Sequence, residues 1–101
     1  MEFFDAKRPV VSAAALESAL DLLKEWTQAV IRKHGPGMFV SAHEMFGIIT
    51  EEYDELERAI NENDIDAVIR ESLDVAQVAL FFIACVEEGK FRRRRHARCA
   101  K

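Results

Sequence analysis

The four residues 61-NEND-64 are all that separates two long stretches of helical periodicity, and so short a break obliges the chain to double back as an antiparallel pair of helices. Before the break, Ser41 stands three residues ahead of Glu44, the Ser-x-x-Glu pattern that satisfies two orphan N–H groups at a helix start. A helix is therefore expected from Ala42 to Asn61. After it, Asp64 is a good N-cap, Asp66 suits the positive end of a helix dipole, and Gly89 ends the pattern, which predicts a helix from Ile65 to about Glu88. An earlier segment, 12-SAAALESALDLLKEWTQAVIRK-33, combines good helix formers with a stripe at Leu16, Leu20, Leu23, Trp26 or Thr27, and Val30, and 34-HGPG-37 stops it. No stretch alternates with the period of a strand. The expected fold class is all-α: an antiparallel helical hairpin plus an N-terminal helix, with residues 1–11 as an extension, 12–89 as the helical domain and 90–101 as a tail.

A 101-residue chain buries a smaller fraction of its surface than a larger protein, so a partner subunit is expected to share its core. The segment 75-VAQVALFFIACV-86 argues the same way, because a helix apolar nearly all round, apart from Gln77, must be covered on several sides. Its apolar run from Val78 to Val86 is nine residues, against about 20 for a membrane span. The N-terminus has neither the basic n-region nor the apolar h-region of a signal peptide, and a cytoplasmic location is expected. Cys85 and Cys99 lack the spacing of a zinc site or a disulfide framework and read as free thiols. The net charge of −4 conceals a division: residues 1–89 carry −11, and 90-KFRRRRHARCAK-101 carries +7.

Four acids break the amphipathic pattern. In the second helix Glu52 and Leu56 project within about 20° on either side of Met45, and Glu55 lies on the flank of that stripe, while Glu51 and Asp54 turn away from it. In the third helix Val78 and Phe82 lie within about 20° of Glu71, and Asp74 about 60° away. Each pair is spaced three apart and shares a face. Glu52 and Glu55 precede Asn61 by 9 and 6 residues, while Glu71 and Asp74 follow Asp64 by 7 and 10, so the hairpin brings both pairs to similar height. A solvated charged face is the plain alternative, and the position of the acids within apolar stripes on both helices argues against it. Converging carboxylates in an apolar setting repel and are costly to bury ionised, and a hard divalent cation relieves both problems. Oxygen-only ligation favours Mg²⁺, or Mn²⁺, over zinc, and Mg²⁺ commonly binds substrate phosphates as well.

The block Glu51-Glu52-Tyr53-Asp54-Glu55, then 15 residues, then Glu71-Ser72-Leu73-Asp74, resembles the EExxE…ExxD signature of the all-α MazG-like nucleoside triphosphate pyrophosphohydrolases. The likeness covers roughly residues 20–88, with Leu73 standing where the family's second block usually has glycine. It implies metal-dependent cleavage of a (d)NTP between the α- and β-phosphates, giving a monophosphate and pyrophosphate, in a house-cleaning or pool-control role. It also implies a MazG-like four-helix-bundle-type homodimer or homotetramer. Glu52, Glu55, Glu71 and Asp74 match the positions that hold the ions, and Glu55, nearest the edge of its stripe, is the candidate general base. Phosphoribosyl-ATP pyrophosphohydrolase has similar acidic blocks and is an alternative within the same superfamily.

Further candidates are less specific. Trp26 is either a base-stacking residue or part of the first helix's core. Lys33 with His34, and Lys90 with Arg92 in the tail, are candidate phosphate contacts, with a solvated surface or tail as the alternative. His43 points opposite the acids and receives no role. A non-enzymatic alternative is a helical dimerisation module whose Arg92–Arg95 run binds nucleic acid through phosphate contacts.

Overall fold

The computed structural model describes residues 7–91. Arg92 through Arg95 and Cys99, and the first six residues of the N-terminal extension, lie outside the described residues. Three helices and no strand are present among the described residues: α1 Ala13–His34, α2 Ala42–Asn61 and α3 Ile65–Glu87. None is long and apolar enough to cross a membrane.

Each helix starts on a side-chain cap. Ser12 accepts from Ala15 N–H at 3.0 Å, Ser41 from Glu44 N–H at 3.1 Å and Asp64 from Ala67 N–H at 3.2 Å. The reciprocal half of the expected capping box shifts by one residue, since Glu44 Oε1 accepts from Val40 N–H at 2.7 Å rather than from Ser41.

The hairpin turn is tighter than its sequence suggests, because Asp64 serves both helices. At the end of α2, Asn63 takes the left-handed conformation (φ 56°) and donates to Ile60 C=O at 3.1 Å, while Asp64 N–H reaches Ala59 C=O at 3.4 Å. This is a Schellman closure with asparagine in the place of glycine, and the last residue of that closure is also the N-cap of α3. At the far end, Gly89 (φ 89°) repeats the closure, with its N–H on Val86 C=O and Lys90 N–H on Cys85 C=O. Gly35 (φ 90°) caps α1 by donating to Ile31 C=O at 2.7 Å.

α3 is the central element. It packs along α2 and, less extensively, against α1, whereas α1 and α2 do not pack on each other. The connection between α1 and α2 is held down by Phe39, which meets Phe81 edge to face at 5.4 Å and Phe82 at 6.4 Å, and Phe82 in turn stacks on Phe91 at 5.0 Å. The interior is small: Ala59, Val78, Cys85, Thr27 and Gln77 are buried. Thr27 satisfies its hydroxyl by donating to Leu23 C=O at 2.8 Å. The expected stripe of α1 is only half covered, because Leu23, Trp26 and Val30 are partly buried while Leu16 and Leu20 remain exposed. On α2, Ile60 is also exposed despite its place in the stripe.

Candidate metal centre

One turn of α2 carries Glu52 and Glu55, and one turn of α3 carries Glu71 and Asp74. The shared-residue turn holds the two helices in the register that sets these turns side by side. One carboxylate oxygen from each of the four lies within 4.8 Å of every other. Glu52, Glu71 and Asp74 are partly buried and Glu55 is exposed at the rim. Glu51, next in the chain to Glu52, is exposed and outside the cluster.

Two oxygens of the cluster are out of contact with solvent and have no hydrogen-bond partner among the described residues, Glu52 Oε1 and Glu71 Oε1. Buried acceptors are normally paired. The electrostatics record the resulting conflict. Loss of hydration raises the Glu52 pKa to about 7, with the charges of Asp74, Glu55, Glu71 and Glu51 adding to the effect. Glu71 is also raised, first by desolvation, then by a side-chain hydrogen bond with Glu55 and by the charges of Glu55 and Asp74, with Arg70 opposing. That hydrogen bond leaves Oε1 of Glu71 unpaired.

A group of all-oxygen donors crowded around orphaned acceptors suits a hard divalent cation. Glu52, Glu55, Glu71 and Asp74 would hold such an ion, whose charge would offset their mutual repulsion.

The acids open onto a cleft of about 490 Å³, within the range of small-molecule sites. Glu52 and Asp74 line it together with Val30, Ile31 and His34 of α1 and the aromatic side chains of Phe39 and Phe81. Gln77 and Val78 continue from Asp74 along α3. Of the candidate substrate residues, Lys33 and Lys90 are exposed and do not line this cleft, and Arg92 lies outside the described residues. Trp26 does not line it either; its indole N–H is spent on Asp74 Oδ1 at 2.7 Å.

His34, paired with Lys33 in the sequence as a candidate phosphate contact, does line the cleft, whereas Phe39, Gln77 and Phe81 are cleft residues that the sequence pattern did not single out for the site. For two of them a signal existed: Gln77 and Phe81 lie three and seven residues after Asp74, on the same helix face. No family model, no curated protein and no solved structure matches this chain.

Proposed function

We propose that the protein is a divalent-metal-dependent nucleotide pyrophosphohydrolase, cleaving a (d)NTP to the monophosphate and pyrophosphate. The observation that carries this reading is the convergence of four carboxylates from two helices, with two buried oxygens that have no partner among the described residues, two of the four acids lining a cleft of small-molecule size. Among the described residues no lysine or arginine lines that cleft, so bound cations would offset the charges of Glu52 and Asp74 as a polyphosphate approaches. The attack at the α-phosphate is what the acidic blocks imply through their resemblance to the MazG-like enzymes.

In this reading Glu52, Glu71 and Asp74 hold Mg²⁺ or Mn²⁺, with Glu55 completing the set at the rim. The bound ion supplies charge neutralisation of the triphosphate and Lewis-acid polarisation of the scissile group. Glu55, the exposed member, takes the proton from the water that attacks the α-phosphorus in line. The bond from that phosphorus to the bridging oxygen breaks, and pyrophosphate departs. The partly uncovered apolar faces of α1 and α3 fit an assembly of at least two copies.

Purified protein with Mg²⁺ or Mn²⁺, screened against canonical and modified nucleoside triphosphates, is expected to release pyrophosphate and monophosphate from at least one. Absence of pyrophosphate across the panel with both ions rejects the reading.

A further inference from the structure

We infer that Gln77, with the aromatic wall of Phe39 and Phe81, is the subsite that reads the nucleobase. This rests on the nucleotide reading above and specifies what the far side of the cleft recognises.

Buried polar side chains are expected to be paired, and the two in this interior behave differently. Thr27 returns its hydroxyl to the backbone of its own helix. Gln77 is only 8 % exposed, yet its amide has no hydrogen-bond partner among the described residues, and it lines the cleft. A primary amide offers two donors and an oxygen with two acceptor positions, and neither atom of the Gln77 amide is sealed from solvent, so its hydrogen-bonding groups are open to a ligand in the cleft. Val78 beside it is buried, and Phe81 continues the same wall. A glutamine retained there is explained by a ligand that completes its hydrogen bonds.

The order of groups along α3 names that ligand. Asp74 lies at the acidic end, Gln77 follows about 4.5 Å further along the helix axis and Phe81 about 10 Å further, so metal end, amide and aromatic wall come in sequence. A nucleotide carries the complementary order of phosphate, sugar and flat heteroaromatic base. The amide, which presents donor and acceptor side by side, matches a base edge that does the same, the pairing glutamine makes with adenine in nucleic-acid recognition. The phenylalanines supply apolar surface for the base.

Gln77→Met tests the assignment, since it keeps the length of the side chain and removes the amide. Wild type and variant would be titrated calorimetrically with MnCl₂ alone, with 2′-deoxyribose 5-phosphate, and with the deoxynucleoside 5′-monophosphates in Mn²⁺. The expected result is unchanged affinity for Mn²⁺ and for the base-free sugar phosphate, and a loss of about tenfold or more for the monophosphate that wild type binds best. The variant's ligand-free melting temperature should not fall, because the amide makes no hydrogen bond among the described residues, whereas a purely structural glutamine would give a fall. Unchanged monophosphate affinity overturns the inference. So does a parallel loss of Mn²⁺ affinity, or failure of wild type to bind any monophosphate more tightly than the base-free sugar phosphate. Base-selective binding without pyrophosphate release from any triphosphate would reject the hydrolase reading while supporting the role of Gln77.

Discussion

The indole N–H of Trp26, on α1, donates a 2.7 Å hydrogen bond to Asp74 Oδ1, on α3, and so ties the N-terminal helix directly to the acidic cluster. The bond consumes one lone pair of Asp74 and restrains the carboxylate that it shares with the cluster of Glu52, Glu55 and Glu71. Groups that orient ligands in this way commonly contribute tenfold to a hundredfold in metal affinity.

Trp26→Phe keeps the aromatic packing and removes only the donor. We expect Mn²⁺ affinity to fall by about tenfold, with helical content unchanged by circular dichroism. Trp26 is the chain's single tryptophan, so its fluorescence in the wild type should respond to Mn²⁺ or Mg²⁺ with the same midpoint that calorimetry gives. A variant that binds Mn²⁺ as tightly as wild type would reduce the bond to packing.

The raised pKa of Glu52 fixes the sign of a pH effect. Its acid form is favoured in the folded chain, so the contribution of Glu52 to metal-free stability is fully present below the ordinary carboxylate value of 4.5 and is lost as pH climbs through about 7. The loss should amount to roughly 1–2 kcal/mol, less than full linkage gives because Glu52 is partly solvated. Glu52→Gln should flatten the pH dependence of the melting temperature between about 4.5 and 7, melt higher than wild type at pH 8 without metal, and abolish pyrophosphate release. Adding Mg²⁺ at pH 6 to the wild type should release protons, read as a dependence of the calorimetric heat on buffer ionisation enthalpy. A wild-type melting temperature that rises from pH 5 to pH 8 in the absence of metal would contradict the electrostatics of the cluster.

How far the molecule can be read from its sequence depends on the range of the interaction. The hairpin and the three caps are local: Asp64 and Ser41 announce themselves within a turn of the groups they bond. The acidic pairs are nearly local as well, because a 3.6-residue period and a short turn fix the relative height of Glu52, Glu55, Glu71 and Asp74. The partner of Trp26 is 48 residues away on a helix whose placement depends on the seven-residue connection and on Phe39 docking against Phe81 and Phe82. No periodicity within α1 encodes that docking. Gln77 illustrates the intermediate case, since its spacing from Asp74 is visible in the sequence but its burial without a partner requires the neighbouring helices.

The uncovered side of the molecule supports a prediction about assembly. Leu16 and Leu20 on α1 are 56 % and 54 % exposed, and Ile65 and Ile69 on α3 are 68 % and 46 % exposed. Leu20 and Ile69 border the same apolar groove, floored by Leu23, Val68 and Leu73 between the two helices. Isolated exposed leucines are ordinary, but exposed apolar residues gathered about a groove between two helices of a chain this small mark a surface that association would cover. The four acids lie outside this groove, so a second copy could dock there without touching them. At micromolar concentration, light scattering coupled to size exclusion should give a mass at least twice 11.5 kDa. The double variant Leu20→Asp with Ile69→Asp should shift that mass toward the single chain, because each copy of the interface would then bury charges without partners. Mn²⁺ binding should survive the double variant if the four acids of one chain suffice for the centre, and a wild type that is monomeric at 100 µM would refute assembly through this face.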